Sequence, residues 1–515
     1  MAQTDCDVLV VGGGINGAGI ARDLAGRGWR VVLVEQDDLA AHTSSASTKL
    51  VHGGLRYLEH YEFALVRKAL QEREVLLRAA PHLIRPLRFV MPHDAAMRPA
   101  WVIRTGLFLY DHLARREVLP GSGAVDLRSG PLGAPLQPRF TQGFVYSDGW
   151  VDDARLVVAN AVDARERGAT VHTRTRCELA ERGPRHWTAT LRHAARPAGR
   201  VTARLLVNAA GPWAEAFLRQ VARPAAGEVL AGRSLRLVKG SHIVVPRLFE
   251  HDHAYILQNP DQRIIFAIPY EERYTLVGTT DVDYRGDPAA AAIDDAEVDY
   301  LCEQASRYFR RPVGAADVRW SYSGVRPLLD DGADAAAVTR DYQLESRTDG
   351  APLLSVWGGK LTTYRKLAEE AAAEVGRLLG EQRPPWTEQV PLPGGDLREW
   401  IGEPTRRPDQ DFERFVHVLA ERAPGLAPAL LRRLARAYGG RVGRVLARGL
   451  GDEVAPGLHE GELRHLCEEE WAQSADDVLW RRSKLGLHLD AAARARVAVW
   501  LGEGSAVAAA EAPCS

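Results

Sequence analysis

The 515-residue chain predicts an α/β fold in two parts: a Rossmann-like domain interleaved with a β-rich domain over residues 1–388, and an all-α domain over 389–515. Three observations carry this. The first 35 residues read as strand, glycine turn, helix and strand. The texture changes over about 240–330 to short β-rich runs. After a Pro- and Gly-rich linker at 383–397, the sequence becomes Ala-, Leu- and Arg-rich at helical spacing.

Taken in order, residues 7–11 are a short apolar run of the kind that forms a buried strand. Gly12-Gly13-Gly14-Ile15-Asn16-Gly17 follows at once, then a helix through Arg27 that Gly28 closes, then a second strand over 30–35. A loop of small and hydroxyl residues spans 41–58, and a helical pattern runs from about Glu59 to Arg78, stopping before Pro81. Residues 119–143 read as a loop excursion. A helix from about Asp153 to Arg167 leads to a strand near Val171, and residues 205–213 form another strand entering a glycine turn. Between 242 and 280, four β-rich runs divided by polar turns predict an antiparallel meander. Asp294 with Glu297 three residues on marks a capped helix start, with the helix running to about Phe309. The last strand enters Gly358-Gly359-Lys360, followed by a helix from about 363 to 379. The Ala-rich tail after Gly504 is expected to be disordered.

Composition excludes several functions. Lys plus Arg (66) balances Asp plus Glu (67), so no global field exists to hold nucleic acid, and any anion site must be local. Cys6, Cys177, Cys302, Cys467 and Cys514 are far apart without a C-x-x-C pair, which predicts free thiols in a reducing compartment and no metal site. No stretch reaches the roughly 18 apolar residues that cross a bilayer, and Asp5 and Asp7 stand where a signal peptide would be basic. The chain is expected in the cytoplasm, soluble or lying on a membrane. Only six of its basic residues are lysines: Lys49, Lys68, Lys239, Lys360, Lys366 and Lys484. Each is therefore a candidate for a place that wants a compact ammonium and not a planar fork.

The chemistry gathers in a few blocks. Gly12-x-Gly14-x-x-Gly17 lies between strand and helix, and acidic Glu35 ends the second strand. Glycines there let backbone N–H groups approach a pyrophosphate at the helix N-terminus, while Glu35 can accept from an adenosine ribose. The motif alone does not choose between FAD and NAD. Glycine turns that return at Ala209-Ala210-Gly211 and Gly358-Gly359-Lys360 favour a resident flavin. A helix beginning near Thr362, after Leu361, would point its positive end into the site and stabilise negative charge on a reduced isoalloxazine. In the run from Ser44 and Ser45 through Lys49 to Tyr57, small hydroxyl residues and paired glycines let backbone lie against a flat ring, with Arg56 projecting from the corner. Lys239-Gly240-Ser241-His242 and Ser323-Gly324-Val325-Arg326-Pro327 repeat a cation or imidazole beside a glycine.

These blocks together resemble the FAD-dependent, respiratory glycerol-3-phosphate dehydrogenases of bacteria and mitochondria. That family carries S-S-A-S-x-K-L-x-H-G-G-L-R-Y-L-E, here Ser44 to Glu59, and K-G-S-H-I-V-V-P, here Lys239 to Pro246. It also carries G-T-T-D (Gly278 to Asp281), S-G-V-R-P-L (Ser323 to Leu328) and G-G-K-L-T-T-Y-R-K (Gly358 to Lys366). In the helical part, residues 475–482 are similar to its A-D-D-x-L-W-R-R. The resemblance implies a fold like the amino-acid-oxidase-like flavoproteins, with a β-rich substrate domain and a helical C-terminal cap. It implies FAD held through Gly12, Gly14, Gly17, Glu35, Ser44, Ser45, Lys49, Gly211, Gly358, Gly359, Leu361 and Thr362. By the same resemblance Arg56 and Arg326 bind the substrate phosphate, and Tyr57, His242, Thr279 and Lys360 line the site beside the flavin.

The reaction so implied is oxidation of sn-glycerol 3-phosphate to dihydroxyacetone phosphate, with hydride passing to flavin N5 and electrons to a membrane quinone. His242 is the candidate base, with Arg326 or a water as alternatives. A flavin oxidase of the same fold, using oxygen or an amine substrate, is the competing reading. Oligomeric state stays open, a homodimer among the options. A quinone partner requires peripheral contact with the inner face of the cell membrane. Two segments are candidates: residues 423–451, where arginines alternate with apolar residues, and Trp101 to Tyr110, an apolar run flanked by Arg98, Arg115 and Arg116.

Overall fold

In the computed structural model, residues 5–502 are described apart from 95–96, 225–229, 231, 262 and 331–340. The tail after Gly504 lies outside the described residues. The strand Cys6–Val11 is buried at every position and forms the centre of a parallel sheet. It pairs with Val31–Val34 on one side and with the end of Arg196–Asn208 on the other. Thr170–His172 and Leu353–Trp357 extend the parallel set outward. The helices Ile15–Gly26 and Tyr364–Leu379 bury Ile20, Leu24, Leu367 and Val375 against Val8, Val10, Leu205 and Val207. At about 25 cal/mol per Å² of apolar surface, this shared core fixes where the two helices begin relative to the strand ends. Four strand ends then enter the loops at Gly12, Glu35, Ala209 and Gly358, and all four positions line one cavity. Open α/β sheets bind ligands at that edge.

A second, mixed sheet is built around Leu235–Pro246, which pairs antiparallel with Tyr274–Gly278 and Trp320–Leu329. The expected meander is present as Ala254–Gln258, Ile264–Tyr270 and Tyr274–Gly278. The sheet also recruits strands from well before residue 240: Leu50–Val51, Ile84–His93, Gly123–Asp126 and Gln142–Val151. The region 119–143 is therefore not only loop, because Gly123–Asp126 pairs with Gln142–Val145. The helix Asp295–Ser306 begins with the full capping box of Asp294 and Glu297. The helix expected from Glu59 is broken: a 3₁₀ segment Leu55–His60 ends where Tyr61 turns left-handed (φ 59), and the α-helix is Phe63–Ala79. No periodicity marks that turn, since Tyr61 is an ordinary helix residue.

The helical domain packs Phe412, Phe415, Leu434, Val442, Leu463 and Val478 into its own core. The segment 423–451 does not leave a free basic face. Leu431, Leu434, Val442 and Val445 are buried. Arg432 pairs with Glu413 at 2.8 Å, Arg433 with Glu462 at 2.6 Å, and Arg441 and Arg444 with Glu166 at 2.6 and 3.0 Å. Arg448 pairs with Glu468. The neutralising carboxylates all lie outside the segment, which is why the run read as purely basic. Cys6, Cys177, Cys302 and Cys467 are free thiols. Among the described residues no helix is long and apolar enough to cross a membrane.

Candidate active site

One cavity of about 450 Å³ runs from the glycine turn to the second sheet. Its end at the glycine turn is lined by Gly12, Gly14, Glu35, Gln36, Ala40 and Ala41. Each glycine has its own task. Gly12 is left-handed (φ +112), and a Cβ there would lie 2.4 Å from the Ala209 carbonyl oxygen. Gly17 does not line the cavity; its missing side chain lets the helix close on Gly12, whose carbonyl oxygen would sit 1.8 Å from a Cβ. Gly14 faces open space except for Ser44 Oγ at 3.0 Å. Glu35 is buried and accepts from the N–H of Gly13 at 2.6 Å and of Asp37 at 2.9 Å. Burial raises its carboxyl pKa, and the two backbone donors oppose that shift.

The opposite wall comes from Gly211, Gly358, Gly359, Lys360, Leu361 and Thr362. Gly358 and Gly359 are left-handed (φ +69 and +103), so the chain turns there as only glycine does readily. Asn16 Nδ2 donates to the Gly358 carbonyl at 3.2 Å and so joins the two glycine turns. The 3₁₀ turn Leu361–Thr363 and the helix Tyr364–Leu379 begin at Lys360, placing a positive helix end at the cavity. Lys360 Nζ stands 3.5 Å from the centre of the Tyr57 ring, a cation–π contact. Thr362 Oγ1 accepts from the His52 N–H.

At the second sheet, His242, Thr279 and Arg326 meet over glycines. A Cβ on Gly240 would lie 2.2 Å from Arg326 Nη2 and 2.7 Å from Thr279 Oγ1. A Cβ on Gly278, which is opposite His242 in the ladder, would lie 2.2 Å from His242 Cδ2. Arg326 pairs with Asp281 at 2.7 Å and donates Nη2 to the Thr280 carbonyl at 2.8 Å. The His242 ring stacks on Tyr322 with centroids 4.8 Å apart, and its Nε2 is 3.0 Å from Thr48 Oγ1. Burial drives its pKa well below the usual histidine value, with the positive charges of Lys49 and Arg326 adding to the effect. The imidazole is therefore neutral at pH 7. Gly278→Ala should displace this ring without straining the backbone. The expected result is full FAD content and a turnover number lower by about 100-fold, a loss that a misplacement of about 1 Å can cause. Flavin absorbance and steady-state kinetics on the same preparation check it.

Four expected site residues, Gly17 among them, lie outside the cavity lining. Lys49 does not line the cavity: its fully buried ammonium lies 2.7 Å from Asp153 Oδ2 and 2.5 Å from the Ser45 carbonyl, above the Tyr322 ring. It ties the loop at Ser45 to the start of the helix Asp153–Glu166. Ser45 uses its hydroxyl on the His42 carbonyl and its own carbonyl on Lys49, and does not line the cavity. Arg56 is half-buried in the 3₁₀ segment after left-handed Gly54 and is not part of the cavity lining. Lys239 is likewise structural, 2.8 Å from Glu297. Of the four lysines inside the motif blocks, Lys49, Lys239, Lys360 and Lys366, only Lys360 lines the cavity. Residues not anticipated are Asn16, Thr48, Asp153, Asp281 and Tyr322. Asp281 is a specified position of G-T-T-D, whereas Asn16 and Thr48 fall at unspecified positions of their motifs, and Asp153 and Tyr322 carry no local signal.

A dinucleotide cradle that continues into a polar, cation-bearing pocket beside a second sheet defines a flavin-dependent oxidoreductase. Comparison with known proteins agrees. Residues 7–365 match the family described as FAD dependent oxidoreductase, and residues 385–501 match the C-terminal domain of alpha-glycerophosphate oxidase. A glycerol-3-phosphate dehydrogenase of Pseudomonas aeruginosa is 51% identical over 503 residues, covering 96% of this chain and 94% of that one. A D-erythritol 1-phosphate dehydrogenase of Brucella abortus is 48% identical over 517 residues, covering 99% of this chain and 100% of that one. The solved glycerol-3-phosphate dehydrogenase from Bacillus halodurans, complexed with FAD, has a TM-score of 0.77 at 28% identity, covering 98% of this chain and 91% of that one. This chain belongs to the FAD-dependent glycerol-3-phosphate dehydrogenase family, and its cofactor is FAD. The residues present fit that group: bare glycine edges where a Cβ would intrude, a buried acid at the end of the second strand and a helix N-terminus at the far end.

Proposed function

We propose that the chain oxidises sn-glycerol 3-phosphate at its secondary alcohol to dihydroxyacetone phosphate and that its electrons pass to a membrane quinone. The observation that carries this reading is the cluster of Arg326, Thr279 and His242 on glycine-flanked strands, in the same cavity as Lys360 and Tyr57 and the FAD cradle. FAD, when bound, supplies a two-electron acceptor for the hydrogen on the carbinol carbon. Arg326 offers the phosphate a charge-assisted fork, and Asp281 holds that fork across Gly240. Neutral His242 takes the hydroxyl proton, its ring fixed between Tyr322 and Thr48. Lys360, on the Tyr57 face at the helix start, adds positive charge where negative charge develops.

The similarity to a D-erythritol 1-phosphate dehydrogenase is nearly as high, so a four-carbon polyol phosphate is the second reading. Turnover with an artificial acceptor on glycerol 3-phosphate, D-erythritol 1-phosphate and glycerol tests both. The first reading expects the highest kcat/KM on glycerol 3-phosphate; a higher value on the erythritol ester would replace it.

Membrane contact is assigned to the helix Ala100–His112. It buries only Leu107 and Tyr110, while Trp101 and Phe108 are 70% and 60% exposed. Tyr61 (80%), Phe63 and Leu109 are exposed as well, while the flanking Arg98 and Arg115 are paired with Glu59 and Glu117, so the apolar face carries the contact. This is an amphipathic helix of the interfacial kind. A Trp101→Ser, Phe108→Ser double variant should sediment with anionic vesicles about 10- to 100-fold more weakly, from roughly 1.5–3 kcal/mol of lost apolar burial. Changing Arg432, Arg441, Arg444 and Arg448 to Gln should leave sedimentation unchanged. The reverse pattern would move the membrane surface to the helical domain.

A further inference from the structure

Among the described residues, no part of the helical domain lines the cofactor cavity, whose lining ends at Thr362. The domain is nevertheless bonded to the cavity wall from behind. The π-helical segment Asp477–Arg482 lies against the loop that follows Glu35. Asp38, 3% exposed, accepts from Arg481 Nε at 2.6 Å and from Arg482 Nη1 and Nη2 at 2.7 and 2.8 Å. Arg482 also donates to the Glu470 carbonyl at 2.6 Å, which ties it into the helical core. On the loop's other flank, Arg174 reaches Asp477 Oδ2 at 2.6 Å, while its backbone N–H donates to the Asp37 carbonyl at 2.7 Å.

Asp38 stands between the parts of this loop that shape the cavity. Before it, the Asp37 N–H fixes the Glu35 carboxylate at 2.9 Å. After it, Leu39 and Glu35 close around Gly13, and Ala40 and Ala41 line the cavity. A buried carboxylate that loses its guanidinium partners must take up a proton or turn toward water, and either change releases the loop. We infer that Arg481 and Arg482 are positioning residues for FAD, so that the helical domain is the outer half of the adenosine cradle. Cofactor affinity and domain docking are then coupled, and the coupling is reciprocal.

The test uses apo full-length protein: wild type, Arg482→Gln, Asp38→Asn and the double variant. Each is titrated with FAD by flavin fluorescence and melted without FAD by circular dichroism. Each single variant should bind FAD about 10-fold more weakly or worse. The double variant should be no weaker than the worse single, because both changes act through the same charge cluster around Asp38. FAD should also slow proteolysis of the wild type within the 383–397 linker. Lower apo melting temperatures with FAD affinity within about twofold of wild type would overturn the inference, because the contact would then only join the domains. Should Arg482→Gln not fold, Asp38→Asn, which keeps the side-chain volume, decides by the same titration.

Discussion

A Gly14→Val variant is expected to purify folded and colourless. The choice of glycine matters. At Gly12 a side chain would strike the Ala209 backbone, and at Gly17 it would strike the Gly12 backbone, so loss of FAD there could not be separated from collapse of the turn. Gly14 has ordinary extended dihedrals (φ -75, ψ -175) and meets only the Ser44 hydroxyl. A valine there keeps the backbone and fills the space through which the pyrophosphate reaches the helix N-terminus. The measurement pairs the flavin-to-protein absorbance ratio with circular dichroism. Native-like dichroism with at most about one-hundredth of the wild-type FAD affinity is the expected pair, since steric exclusion removes most of the helix-terminus contact. A variant that keeps stoichiometric FAD contradicts the placement of the cofactor.

The second large effect concerns Arg326. Its guanidinium is already oriented by Asp281 and the Thr280 carbonyl, so little side-chain entropy remains to be lost when a phosphate arrives. A charge-assisted hydrogen bond contributes about 1.5–3 kcal/mol. Arg326→Ala should lower kcat/KM for glycerol 3-phosphate by roughly 10- to 100-fold while barely changing the slow turnover of glycerol. Equal losses on both substrates would mean that the residue supports the sheet or the flavin and not the phosphate. The same pair of assays on Arg56→Ala separates the two arginines: Arg56 is outside the cavity lining, so its effect should be the smaller.

What the sequence could reveal followed from local rules. The glycine turn with Glu35 and the Asp294–Glu297 capping box are short-range patterns whose geometry the chain fixes by itself, and both are present. The second sheet was legible only where its strands are consecutive. Leu50–Val51 and Ile84–His93 join it through pairings far apart in sequence, which no local pattern encodes. The same limit applies to charges. Lys49 looked like a cofactor ligand because its motif surrounds the site, yet its partner Asp153 is more than 100 positions away and draws it under the loop. The arginines of 423–451 looked free for the same reason, with Glu166 and Glu413 supplied by other elements. Retention of lysine marked positions that need an ammonium, but it did not distinguish a buried ion pair from a site.

The claim on which the rest depends is that the bound flavin takes electrons from a phosphorylated polyol in this cavity. Anaerobic titration of the FAD-loaded protein reads it directly, with no acceptor and no membrane present. Glycerol 3-phosphate should bleach the visible flavin absorbance fully at saturation, whereas glycerol at the same concentration should bleach only a small part of it over the same time. Absorbance that stays intact with glycerol 3-phosphate, or that is bleached equally by glycerol, would contradict the account.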